Sequence, residues 1–244
     1  EIGNNVFMEY LFENGEYLPL GRHNVDFGGG LERVTMISQN VDSFYETDIY
    51  KPVLNKVKEL SKIDNLHSQR IIADHIKAAV LVIMDGVLPS NNMQGYVLRR
   101  LIRRAMRHAR IVGIENGFTS VIGDVCIDQF KQIYPQLDKQ RNYILNELKK
   151  EEDRFNKTID KGLKELDKYI SHTNRISGKE IFTLYETYGL PKEVTEEILA
   201  EKNITVTNPE SFEEAKRQHQ EKSRSSSAGI FKGGLADTSE MSTK

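Results

Sequence analysis

The sequence predicts an α+β chain, mainly α with an N-terminal β portion, and three observations carry that expectation. Residues 6–20 crowd apolar and aromatic side chains on either side of Asn14-Gly15, a dipeptide that signals a hairpin between such runs. From about residue 48 onward the apolar spacing changes to three and four, the period of a helix. Residues 138–161 then lack glycine, and Leu148, Phe155, Ile159, Leu163, Leu166 and Ile170 recur at helical intervals, so one long helix with a narrow apolar seam is expected.

Taken in order, residues 6–12 read as a first strand, 13–16 as a turn and 17–20 as a second, shorter strand that Pro19 confines to an edge. Residues 24–27 run into Gly28-Gly29-Gly30 and then into the helical spacing of residues 31–37. The triple glycine is a strand-to-helix switch. Glycines there let a ligand approach the backbone, and a helix N-terminus behind them favours anions, although many tight turns carry glycine for steric reasons alone. Helices follow over residues 49–60 and 68–85, the second with Ser68 as N-cap and Gly86 as its stop. A polar loop, residues 87–94, leads to a helix over 95–110, and residues 117–133 form another, ended by Tyr134-Pro135. The long helix occupies about 138–170. Gly178 opens a helix over 180–188 that Gly189 stops, Pro191 starts the next, which reaches about residue 202, and residues 212–222 form the last. The domains expected are 1–48, 49–222 and a serine- and glycine-rich linker over 223–244.

The helix over 95–110 has two faces. Leu98, Leu101, Ile102, Ala105 and Ala109 fall on one side, and Arg100, Arg103, Arg104 and Arg107 repeat the same spacing on another. No acidic residue lies between Gly95 and Arg110, so the counter-charge must come from elsewhere. Glu147, Glu151 or Glu152 of the long helix would supply it from inside the protein, and a polyanion would supply it from outside. Arginine in place of lysine favours the polyanion, because the guanidinium fork matches phosphate geometry and is weakly hydrated.

Composition narrows the classes. The chain has 244 residues, 38% of them hydrophobic, which suffices for a core. Its 34 basic and 36 acidic side chains give a net charge of −2, so the arginine face is a local feature. No apolar run approaches the length of about eighteen residues that a membrane span needs, no signal-peptide pattern opens the sequence, and the single Cys126 cannot form an internal disulfide. A cytoplasmic location is expected. The six histidines are scattered, with no pair at metal-ligand spacing, so no metal site is expected. Asp74-His75 reads as a hydrogen-bonded structural pair in preference to half of a metal site. Neither a Ser-His-Asp arrangement nor a phosphate-loop lysine is present.

Four stretches resemble the alanyl-tRNA synthetase family in order and spacing. They are Val25-Asp26-Phe27-Gly28-Gly29-Gly30-Leu31-Glu32-Arg33, Arg70-Ile71-Ile72-Ala73-Asp74-His75-Ile76, Asp85-Gly86-Val87-Leu88-Pro89-Ser90-Asn91 and Gly95-Tyr96-Val97-Leu98-Arg99-Arg100-Leu101-Ile102-Arg103-Arg104. Leu184-Tyr185-Glu186-Thr187-Tyr188-Gly189 and Phe231-Lys232-Gly233-Gly234-Leu235-Ala236-Asp237 extend the resemblance over nearly the whole chain. It implies an internal fragment of the enzyme: the antiparallel-sheet remnant of a class II synthetase catalytic domain, ending in motif 3, then a helical tRNA-recognition domain with one long helix. It also implies earlier motifs before Glu1 and an editing domain after Lys244, the latter carrying the family's zinc. A freestanding, non-catalytic RNA-binding or scaffold module of the same descent is the alternative.

The resemblance implies roles residue by residue. Asp26 matches the carboxylate that holds the ammonium of alanine, with Asn4, Val6 and Gly28 in the same pocket. Arg33 matches the motif 3 arginine that grips ATP, and ATP and Mg are implied for the intact enzyme. Asn91 and Glu186 match the positions that read a wobble G·U pair in the tRNA acceptor stem, through the wide minor groove of A-form RNA, the asparagine oxygen and the carboxylate accepting from the guanine amino group. Arg99, Arg100, Arg103, Arg104 and Arg107 are then phosphate contacts. The chain departs from the family at Gly3, Phe27 and Gly29, where tryptophan, threonine and methionine are common, and at Glu186, where aspartate is usual.

Overall fold

The computed structural model describes residues 1–171 and 174–230, so the expected motif at Phe231 to Asp237 and the end of the expected linker lie outside the described residues. The chain divides into two compact units, Glu1–Glu152 and from Asp153 onward.

The first unit opens with an antiparallel hairpin of β1 (Gly3–Glu13) and β2 (Glu16–Gly29). Asn14 at φ 51° and Gly15 at φ 88° make its turn, the left-handed pair that a two-residue hairpin loop demands. Two strand pieces were expected where β2 is continuous. The pairs Met8↔Asn24 and Tyr10↔Pro19 explain why: Glu9 alone lies opposite residues 20–23, and the register shifts there without the strand ending. Almost every residue of the ribbon is exposed, Phe7 by 77% and Tyr17 by 74%.

The helix α1 (Leu31–Ser38) follows directly, and a short 3-10 turn at Phe44–Glu46 leads to the helical part of this unit. That part contains α2 (Lys51–Leu60), α3 (Leu66–Met84), α4 (Met93–Ile111), α5 (Phe118–Phe130) and the short α6 (Gln136–Lys139). The central pair is α3 and α4. Ile72, Ile76 and Ile83 of α3 and Leu98, Ile102 and Ala105 of α4 are wholly buried, with Ile122 and Ile127 of α5 closing the core. Gly123 lets α5 approach closely, since a Cβ there would meet Leu148 at 2.8 Å. The N-cap of α3 is Asn65, not the expected Ser68: the Asn65 side chain accepts from Ser68 N at 3.0 Å. Ser68 is buried inside the helix, with its Oγ 3.0 Å from His108 Nδ1.

The long helix α7 (Arg141–Ser171) is continuous, and the boundary between the units falls within it. In the second unit come β3 (Arg175–Ser177), α8 (Gly178–Tyr188), α9 (Lys192–Glu201), β4 (Thr205–Thr207) and α10 (Ser211–Ile230). The three-residue β3 and β4 pair in parallel, a feature with no counterpart in the sequence expectations. Ser177 and Glu180 form a reciprocal capping box at the start of α8, and Gly189 ends that helix at φ 66°. Gly178 is required by packing, because a Cβ would sit 2.7 Å from Asn208 O and 2.8 Å from Phe212 N. The helix α10 runs past the expected end at Lys222 to Ile230; serines cost a helix only tenths of a kcal/mol each and do not stop one. Among the described residues no helix is long and apolar enough to cross a membrane.

Candidate functional site

Side chains alternate along a strand, and directly paired residues share a face. The pairs Asn4↔Gly28 and Val6↔Asp26 therefore bring Asn4, Val6, Asp26 and Gly28 to one face of the hairpin. Gly3, Asn5, Phe7, Val25, Phe27 and Gly29 line the other. There the Phe27 ring covers both Gly3 and Gly29, whose Cβ atoms would come within 2.8 and 2.9 Å of it. Gly28 differs: nothing in the protein lies within 4 Å of its virtual Cβ, so its lack of a side chain leaves open space on the face that holds Asp26. Gly30 is the N-cap of α1, and Arg33, one turn on, is exposed and donates to Glu1 O at 3.0 Å. An apolar side chain, an amide, a carboxylate and a bare backbone position on one face, with a guanidinium one helical turn beyond, can hold a small zwitterion next to an anion.

A polar chain ties α1, Tyr50 at the start of α2, and Arg104 of α4 to α3. Tyr50 donates to Asp74 Oδ1 at 2.7 Å, and His75 Nδ1 lies 3.0 Å from Asp74 Oδ2. Arg104 Nη1 lies 3.0 Å from His75 Nε2; a guanidinium only donates, so Nε2 accepts and the imidazole proton sits on Nδ1, directed at Asp74. The expected hydrogen-bonded reading of Asp74-His75 thus has a geometry. His75 above all, then Tyr50, holds the Asp74 carboxyl below the usual carboxylate range, while burial and Asp74 push the Tyr50 hydroxyl up. Lys77 bonds Glu32 of α1 at 2.9 Å, lowering that carboxyl, and lies over the Tyr50 ring at 4.1 Å. Sequence reasoning passed over Tyr50, Lys77 and Glu32, since nothing local marks them as partners.

On α4 the arginines separate. Arg103 and Arg107 are buried to 8% exposure, and Arg103 grips the wholly buried Glu151 of α7 with Nε at 2.7 Å and Nη2 at 2.6 Å. Internal ion pairing, the alternative open in the sequence, is realised at Arg103. Arg100 and Arg104 remain half-buried at the edge of the helix. Neighbouring Glu152 serves α5, accepting from Thr119 N at 3.1 Å and from Gly117 N at 2.5 Å at that helix's start.

Asn91 sits exposed in the loop that precedes α4, and that loop is built by its own bonds. Ser90 N donates to Gly95 O at 3.0 Å, and Ser90 Oγ donates to Asn92 O at 3.0 Å. Gly95 admits the loop, because a Cβ there would collide with Ser90 Oγ and stand 2.5 Å from Leu88 O. Arg99 donates to both Asn91 Oδ1 and Pro89 O, the latter at 3.3 Å. In the second unit, Glu186 is exposed near the end of α8, accepting from Thr187 Oγ1 at 2.9 Å, with its other oxygen 3.3 Å from His219 Nε2 of α10. Among the described residues no three His, Cys, Asp or Glu side chains are grouped to hold a metal ion.

The sequence has close parallels. A family model described as tRNA synthetases class II (A) matches residues 1–243. A protein of Elusimicrobium minutum named alanine–tRNA ligase is 42% identical over 232 residues, 92% of this chain and 27% of that protein. Its namesake in Natranaerobius thermophilus is 41% identical over 245 residues, 95% of this chain and 28% of that protein. A third, in Borrelia hermsii, is 42% identical over 255 residues, 100% of this chain and 43% of that protein. The chain thus spans between 27% and 43% of the length of these relatives.

Proposed function

The chain belongs to the class II (A) tRNA synthetases, and from that premise we propose that it takes part in the ATP-dependent attachment of alanine to its tRNA. The hairpin holds part of the amino-acid site, and the helical portion binds the acceptor stem. Support for the first half comes from one observation above all: Asn4, Val6, Asp26 and Gly28 share a face of the hairpin. On it Asp26 accepts from the ammonium of alanine, Val6 offers an apolar wall for the methyl group, and Gly28 keeps the backbone clear. Arg33 holds phosphate oxygens of ATP and balances charge as the carboxylate of alanine attacks the α-phosphorus and pyrophosphate leaves. Magnesium accompanies ATP in this class, but the described residues offer it no carboxylate cluster, and no step here depends on it.

For the second half, Arg100 and Arg104 supply sequence-independent phosphate contacts, while Arg103 is taken by Glu151 and Arg107 is as deeply buried. Asn91 and Glu186 read a G·U pair in the minor groove. A wobble pair leaves the guanine amino group without its usual partner, and the Glu186 carboxylate accepts from it; the longer Glu186 side chain takes the place of the family's usual aspartate. Binding of a minihelix RNA bearing the alanine acceptor stem tests this, with the G·U pair intact or replaced by G·C. The expected result is preferential binding of the wobble form. Equal affinity for both overturns the G·U reading.

A further inference from the structure

We infer that Arg99 is the positioning residue for Asn91 and not a phosphate contact in its own right, an inference that rests on the acceptor-stem reading above. All the nitrogens of this guanidinium face protein. Nε lies 3.4 Å from Glu151 Oε1, Nη2 donates to Pro89 O at 3.3 Å, Nη1 donates to Asn91 Oδ1, and the side chain is only 18% exposed. Glu151 is a fixed anchor, wholly buried and also held by Arg103.

An exposed asparagine amide ordinarily turns freely, and a half-turn exchanges its donor for its acceptor. Arg99 removes that freedom. A guanidinium has donors only, so Asn91 must turn its oxygen towards Arg99, which leaves its NH2 group, and not the accepting oxygen expected from the sequence, as the edge to be offered to RNA. The chain Glu151, Arg99, Asn91 thereby converts a buried charge into a defined polarity at a surface residue. Pro89 O, held by the same fork, fixes the loop backbone two residues earlier, and the Ser90 bonds fix it between. Lysine cannot replace Arg99 here, because a single ammonium on a flexible stem does not reach two acceptors set around a planar fork while staying beside the Glu151 carboxylate.

The experiment compares affinities of the full chain for G·U and G·C minihelices across salt, for wild type, Asn91→Ala, Arg99→Gln, Arg99→Lys and Arg99→Gln combined with Asn91→Ala. Asn91→Ala is expected to reduce the G·U preference by about 5- to 150-fold, the range of one good base contact. Arg99→Gln should lose the same preference, leave the salt slope unchanged, and add nothing to Asn91→Ala in the double variant. Arg99→Lys should lose the preference too, while keeping the charge beside Glu151 and the native melting temperature. If Arg99→Gln weakens both RNAs equally, flattens the salt slope and adds to Asn91→Ala, Arg99 is a phosphate contact and the inference is overturned. If Asn91→Ala itself leaves the preference intact, the reading of Asn91 fails and the role of Arg99 falls with it.

Discussion

Asp74 shows how a motif residue serves the fold. Its carboxyl takes hydrogen bonds from Tyr50 and His75 and is held below the ordinary range. A folded pKa below the unfolded one means that the stabilisation is present above the unfolded value, near 4, and is lost as pH falls through the folded value. Asp74→Asn is therefore expected to lower stability at pH 7 by no more than about 1 kcal/mol, since the side chain is 40% exposed and solvent screens the pair. The variant should also lose less stability than the parent on acidification below about pH 4. Urea unfolding at pH 7 and pH 3 measures both effects, and an unchanged acid limb would show that Asp74 contributes nothing through its charge. Cys126 offers a second check at this scale. Burial pushes its thiol up to about 12, so a thiol reagent at pH 8 should leave the folded chain unlabelled and react fully in denaturant.

At the scale of the element, α4 carries a buried arginine, Arg103, that grips the buried Glu151, and two half-buried arginines, Arg100 and Arg104. Arg103→Gln leaves Glu151 buried with less positive charge around it, and breaking such a pair costs about 3 kcal/mol or more. It should lower the melting temperature and leave the salt dependence of RNA binding unchanged. Arg100→Gln and Arg104→Gln should each remove about 0.7 to 0.9 from the salt slope, and Arg104→Gln should also lower the melting temperature by less than Arg103→Gln does, because it frees His75 Nε2 at a half-buried site. Identical behaviour of the three variants would dissolve the distinction. The period of the arginines was legible in the sequence, and so was the helix itself. The cover over Arg103 was not, because Glu151 lies 48 residues away and helical spacing tells which residues share a face without telling what packs on it. The same limit explains Ser68 and Asn65, two residues equally able to cap, of which tertiary packing with His108 claimed the first. Strands β3 and β4 were invisible for a different reason. Three residues are too few to show a period of two, and Ile176 is buried by a pairing with a segment far along the chain.

At the scale of the whole molecule, the α+β reading holds, and the order of β hairpin followed by helices was carried by periodicity and turn chemistry alone. The gathering of Asn4, Val6, Asp26 and Gly28 was half legible: their roles came from resemblance, whereas their common face depends on the register, which the irregularity opposite Glu9 made unreadable. That face is open, with Val6 52% exposed. The alanine contact proposed there would stay hydrated, so alanine-dependent pyrophosphate exchange is expected to be undetectable with this chain alone, and a clear signal would show that the chain suffices for activation. The last test concerns Asn91 and Glu186, which belong to different compact units. If both read one base pair, removing either breaks a single recognition event. Asn91→Ala and Glu186→Ala should then each cost about 1 to 3 kcal/mol for the G·U minihelix and almost nothing for the G·C form. The double variant should lose little more preference than the worse single one, because neighbours on one base pair do not act independently. Summed losses in the double variant would indicate that the residues contact separate parts of the RNA, and equal weakening of both RNAs would reduce the surface to a general RNA-binding one.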